Sequence, residues 1–242
     1  PSVVVMSHAS NSFGFINPIR EIFSIAKEFN AITICDMAQT AGLIDTNIVQ
    51  SKIDYAVFAG HKTLYGPLGI SGFVTNQNCK LKPLIYGGTG VDSKSRNMPE
   101  EMPTKYEAGS HNIHAISGLN ASLKWIKAVG ISTIFEQEKN HTKKILDILK
   151  CHKNIKIIRC DDENKNIGVV SCVFDGYSSD NIGQVLSEQD IAVRTGLHCS
   201  PRSHEFLKTF PNGTVRFSVG FFTKDDDFNS LEAALSYIEQ NS

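Results

Sequence analysis

Alternating strand and helix patterns, an ordinary globular composition and a change of rhythm near mid-chain predict an α/β protein. Residues 1–130 read as a mainly parallel sheet with helices, and residues 131–242 as a smaller α+β domain. The first strand is the β-branched run Val3 to Met6, and apolar and charged residues at helical spacing follow from Ile19 to Phe29. Ala31 to Cys35, Asp54 to Ala59 and Ile70 to Val74 read as further strands, each ending in polar or glycine-rich turns. Gly87 to Lys105 has no periodicity and is too long for a simple connection. Two helices, Ala115 to Val129 and Ile131 to Cys151, are separated by Gly130 alone. Beyond them come strands at Ile155 to Ile158 and Gly168 to Phe174, a helix at Ser179 to Gln189 and a strand at Ile191 to Arg194. A short helix near Ser203 to Thr209, a strand at Thr214 to Val219 and a helix at Asp225 to Glu239 complete the chain.

The 242 residues carry 24 basic and 25 acidic side chains, which leaves no positive field for nucleic acid or an anionic membrane. No apolar run approaches the roughly 18 residues of a membrane-spanning helix, and no basic segment precedes the first apolar stretch, so the expected location is cytoplasmic. Residue 1 is proline and a strand pattern begins at once, as though the sequence opens inside a folded unit. The six cysteines are far apart with no CxxC pair, which suits neither a disulfide framework nor a zinc site, so no metal is expected.

Four segments carry more chemistry than a core requires. In AITICDMAQTAG an apolar strand ends in Asp36, with Gln39 three residues on, where open α/β sheets bind ligands; a turn cap is the competing reading. In AVFAGHKTLYGPLGISG a strand runs into His61 and Lys62, and a desolvated lysine there could form a Schiff base, while a solvated surface charge is the alternative. In IAVRTGLHCSP, Cys199 sits in a loop beside Arg194 and His198, a cationic setting that favours a reactive thiolate over an inert buried thiol. The other five cysteines, Cys79 among them, lie in or beside apolar or helical runs and read as inert. In GTVRFSVGFF, Arg216 interrupts a strand and needs either a substrate carboxylate or a structural ion pair.

In order along the chain, HASN, DMAQ, AGHK, GGTG with YEAGSHN, RTGLHCSP and GTVRFSVGFF resemble the cysteine desulfurase and selenocysteine lyase family, within the class V aminotransferase group. That resemblance implies pyridoxal phosphate (PLP)-dependent fold type I, represented by part of the large domain and the whole small domain, with the family's N-terminal third lacking. It implies that Lys62 binds the cofactor and moves the Cα proton, that Asp36 pairs with the pyridinium nitrogen, and that Gln39 reaches the ring oxygen. Asn11 would contact cofactor and substrate, His61 the phosphate, and Thr89 the phosphate of a partner subunit in a homodimer. Arg216 would clamp the substrate carboxylate. Cys199 would take the sulfur of L-cysteine or selenium of selenocysteine, with a further protein as persulfide acceptor. The family often has Ser or Thr where this chain has Ala59. Another class V enzyme, such as an aminotransferase or a kynureninase-like lyase, and a non-catalytic dimerising remnant are the competing readings; the thiol at Cys199 favours the desulfurase.

Overall fold

The computed structural model describes residues 1–75, 81–91 and 94–241, and Cys79 lies outside them. Two four-stranded sheets divide the chain. The first takes β1 (Val3–Ser7), β2 (Ile32–Asp36), β3 (Tyr55–Ala59) and β4 (Ser71–Thr75) in sequence order. β1, β2 and β3 run parallel, and β4 returns antiparallel to β3. The helix α1 (Ile19–Glu28) makes the crossover from β1 to β2 that parallel pairing requires. Its buried residues Ile19, Phe23 and Ala26 pack with Cys35, Met37, Ile53 and Ala56 on one face of the sheet. Asp54, just before β3, is buried and accepts from the Thr33 amide while pairing with Lys27 of α1, so strand and helix share one buried carboxylate.

α2 (Ile113–Val129) and α3 (Ile131–Lys150) are separated by Gly130 at φ 91°, a left-handed conformation that glycine adopts without a Cβ penalty. α2 starts two residues earlier than its periodicity predicts because the Asn112 side chain accepts from the Ala115 amide and caps the first turn. The segment from Gly87 to Lys105 is irregular where it is described, and a short 3-10 turn closes it at Thr104–Tyr106.

The second sheet has the order β5 (Ile155–Ile158), β6 (Val169–Phe174), β8 (Thr214–Ser218), β7 (Arg194–Gly196), all antiparallel. α4 (Ser179–Glu188), α5 (Pro201–Phe206) and α6 (Asp225–Gln240) complete this half. β7 begins at Arg194, three residues after the start of the strand predicted at Ile191 to Arg194. Ile191 instead closes the end of α4 through its amide to Leu186 and packs with Val193 on the core, and ladder pairing starts at Arg194. α5 likewise starts at Pro201 and stops at Phe206, short of the predicted Thr209, with Lys208 at φ 58° turning the chain away.

The two halves are stitched together by residues 8–17. The Ile167 amide donates to Gly14 and the Ile16 amide to Lys165, and Leu43, Leu64, Leu119, Ile126, Ile134, Ile167 and Val169 form a core that both halves share. This seam places the carboxyl ends of β2 and β3 opposite β7 and β8.

Candidate functional site

A cavity of about 320 Å³ lies in the seam. Asn11, Gln39, Lys62, Arg194 and Arg216 all line it, from five separate stretches of the chain. Gln39 follows the end of β2 and Lys62 lies on the turn after β3, so both come from the carboxyl edge of a parallel sheet, where ligands of open α/β sheets bind. Lys62 is exposed on that turn rather than desolvated between strands, because the chain leaves β3 at Ala59 and reverses through Gly60 to Leu64 before β4 begins.

Arg216 and Arg194 occupy directly opposed positions of the β7–β8 ladder. Like charges so placed repel, and no carboxylate among the described residues pairs with either. One Arg216 nitrogen, Nη1, donates to the Asn11 carbonyl at 2.8 Å, while its Nε is buried without a partner. Burial, and then Arg194, pull the guanidinium down from its ordinary pKa. A structural ion pair for Arg216 is therefore absent among the described residues, and the pair of guanidiniums fits an anionic group entering from the cavity.

Asn11 also donates through Nδ2 to the His198 carbonyl at 2.9 Å, so one residue ties β8 to the loop that carries Cys199. That loop is tight: His198 and Cys199 have φ of 49° and 63°, two successive non-glycine residues in the left-handed region. Cys199 is exposed, and Arg194 Nη2 donates to its Sγ at 3.3 Å. His198 is buried, its Nε2 2.8 Å from Thr214 Oγ1. Burial first, and then Arg216, His204 and Arg194, push its pKa down to about 4. The expectation that His198 adds to a cationic setting is thus corrected: it is neutral near pH 7 and acts as an anchor for the loop, and Arg194 is the cation that touches the sulfur.

Asp36, His61, Thr89 and Cys199 do not line the cavity. Asp36 is exposed at the end of β2, and its Oδ1 accepts from the Ala38 amide at 2.9 Å, so the cap weighed from the sequence is present. His61 is exposed beside Lys62, and Thr89 lies half-buried in the irregular segment.

Sequence reasoning missed Glu138 and Tyr65, which both line the cavity. Glu138 lies on the buried stripe of α3 with Ile134, Thr142, Ile145 and Leu149, and a charged residue at an apolar position of a helical repeat is the signal that could have found it. Its Oε1 accepts from the Gly168 amide at 2.8 Å, and burial drives its pKa up to about 7 against that hydrogen bond. The Tyr65 hydroxyl accepts from the Phe221 amide at 3.2 Å, and burial followed by Glu138 raises its pKa.

Comparisons with known proteins place the whole chain among relatives of one kind. A probable cysteine desulfurase of Methanothermobacter thermautotrophicus is 30% identical over 244 residues, covering 98% of this chain and 60% of that protein. Another, from Pyrococcus abyssi, is 33% identical over 240 residues, covering 98% of this chain and 58% of that protein. The apo structure of a cysteine desulfurase from Thermococcus onnurineus NA1 superposes with a TM-score of 0.88 at 28% identity, over all of this chain and 60% of that one. The fold is accordingly PLP fold type I, and the chain spans about 60% of the length of these relatives. The family model for aminotransferase class-V matches residues 1–231, and the chain belongs to that family.

Proposed function

We propose that this chain carries the lysine, the carboxylate clamp and the sulfur-accepting thiol of a PLP-dependent cysteine desulfurase, which converts L-cysteine to L-alanine with a persulfide formed on Cys199. The observation that carries the reading is the meeting of Lys62, Gln39, Asn11 and Arg216 on one cavity whose Arg194 also touches the Cys199 sulfur. Pyridoxal phosphate suits this site through its aldehyde, which the Lys62 amine on the turn could take, and the two facing guanidiniums suit the carboxylate of an amino-acid substrate.

When bound, the cofactor supplies an electron sink for the substrate's Cα carbanion. The chain's own residues do the rest. Lys62 would bind the cofactor and hold the Cα proton on its amine, Asp36 would pair with the ring nitrogen, and Gln39 and Asn11 would orient ring and substrate. His61 would hold the phosphate. Arg216 holds the substrate carboxylate, with Arg194 opposite it across the ladder. The Cys199 thiolate would attack the substrate's sulfur, the electron pair of the broken carbon–sulfur bond would pass to the substrate's Cβ, which is protonated as alanine forms, and the sulfur would stay on Cys199 as a persulfide. Residues 1–130 and 131–242 serve as two domains around the cavity, with selenocysteine as an alternative substrate. A homodimer in which Thr89 reaches the partner's phosphate, a persulfide-accepting protein and a cytoplasmic setting belong to the same reading.

The test is borohydride trapping of the cofactor followed by peptide mapping and sulfide release. Lys62→Ala abolishes the trapped adduct, while Cys199→Ser keeps the cofactor's absorbance and releases no sulfide. An adduct on Lys52 with Lys62 unmodified, or sulfide release by Cys199→Ser at the parental rate, overturns the reading.

A further inference from the structure

Glu138 is 6% exposed and lies at the cavity wall with no cation paired to it among the described residues. A buried carboxyl without a counter-ion is costly to keep, and a core helix position could be filled by leucine at lower cost. Its contact explains what the position requires. The Gly168 amide donates to Oε1, and a Cβ on Gly168 would stand 2.5 Å from Glu138 Cγ and 2.6 Å from Oε1, so only glycine admits the carboxyl this close. The Gly168 carbonyl in turn accepts from the Val219 amide, just beyond the Val169–Ser218 pair of the β6–β8 ladder. Arg216 is two residues before Ser218 on the same strand.

Two more side chains hold this end of β8. His141, one turn further along α3, reaches the Gly220 carbonyl through Nδ1 at 2.9 Å, and Tyr65, three residues after Lys62, accepts from the Phe221 amide. The segment from Ser218 to Phe221 is thus held from α3 on one side and from the lysine turn on the other.

We propose that Glu138 is a positioning residue of this site: through the Gly168 amide it holds the β6–β8 junction, and with it Arg216, in place across the cavity from the turn that carries Lys62. The inference rests on the desulfurase reading for its consequence and on the Glu138–Gly168 contact for its mechanism. The charged and titratable groups that line the cavity with Glu138 are Tyr65 and Lys62 from the turn after β3 and Arg194 and Arg216 from β7 and β8, and His141 follows one turn along its own helix. Desolvation raises the carboxyl's pKa to about 7. The link is therefore made to a neutral acid below that pH and to a carboxylate above it.

Two measurements separate the mechanism from its consequence. In the protein without cofactor, the Gly168 amide resonance should titrate with a midpoint near 7, and Glu138→Gln, which keeps an acceptor but does not ionise, should abolish the titration. In the PLP-loaded protein, L-alanine binding is read from the change in cofactor absorbance. Glu138→Gln should bind it within about threefold of the parent and Glu138→Ala about tenfold more weakly, both keeping the Lys62 adduct. If Glu138→Ala does not fold, Gly168→Ala serves in its place, since its methyl must displace the carboxyl and weaken binding alike. A Gly168 resonance indifferent to pH, or alanine binding unchanged in Glu138→Ala or Gly168→Ala, overturns the inference. Absence of cofactor on Lys62 in the parent overturns the function instead, and the amide titration still decides the role of Glu138.

Discussion

The two sheets have equal numbers of strands and opposite surroundings. Around β5, β6, β7 and β8 the core is closed: Leu149, Val170, Cys172, Ile182, Leu186, Val215 and Leu235 are all within 2% of full burial and draw on helices α3, α4 and α6. The first sheet is covered on one face by α1. Its other face presents Val3, Val5, Ile32, Val57 and Phe73, at 36–67% exposure, aligned across the strands by the register Val3–Ile32 and Val57–Phe73. Parallel sheets are normally covered on both faces. The whole chain exposes 14,652 Å², against about 10,700 Å² expected for a compact monomer of this mass. Stability and surface are therefore divided between the halves, while the cavity takes residues from both.

The largest contrast is in the cores. Leu186 is fully buried between α4 and the second sheet, so Leu186→Ala removes its packing and leaves a cavity. A loss of about 4 kcal/mol is expected in chemical denaturation. A loss below about 1 kcal/mol would show that this half is looser than its burial implies.

Acid should sharpen the contrast. His8, buried in the first half and 2.9 Å from Thr40 Oγ1, has its pKa lowered to about 4 by burial, and His198 in the second half is lowered to about 4 as well. The unfolded imidazoles protonate near pH 6.5 while the folded ones resist, so the stability is present above that pH and is lost as pH falls toward 4. Glu138 acts with the opposite sign: its folded carboxyl keeps a proton up to about pH 7 that the unfolded one releases near 4.5, so its effect favours the folded state at low pH and fades as pH rises between those values. Between about pH 5 and 6.5 Glu138 offsets His198, while His8 in the first half is unopposed. Acidification over that range should cost roughly 2 kcal/mol through His8, and His8→Gln should flatten the dependence of melting temperature on pH by a corresponding amount. A variant that keeps the parental slope places the acid sensitivity elsewhere.

Most of this fold was legible from periodicity, because the strands and helices that build it repeat at 2 and 3.6 residues over several turns. The misread strand at Ile191 to Arg194 was apolar and β-branched at the right length, yet its partner on β8 is available only from Arg194 onward, which is a tertiary fact. The site divides similarly. Lys62, Gln39, Asn11 and Arg216 stand out as polar groups at strand ends or on a strand, and the fold brings them to one cavity. Glu138 escaped because one of three acids in a 20-residue amphipathic helix reads as surface until its turn is known to face inward. The neutrality of His198 escaped because burial cannot be read from a glycine- and proline-rich loop.

The smallest expected effect bears most directly on the bare face. Val5 is 67% exposed on β1, an edge strand in the order of the first sheet, so its side chain has little burial to lose and its neighbours present apolar surface and unpaired backbone groups. Val5→Lys should change stability by less than about 0.5 kcal/mol while raising the concentration at which the chain stays in solution, because a charge on an edge strand opposes edge-to-edge pairing. The matched substitution in the second sheet is Val170→Lys, at a position 1% exposed on the interior strand β6, where an unpaired ammonium would be buried and folding should be lost. Sedimentation and denaturation of the two variants together give the comparison its narrowest test. If Val5→Lys costs as much as a core substitution, the face carrying Val3, Val5, Ile32 and Val57 is covered in solution, and the contrast between the halves belongs to the isolated chain alone.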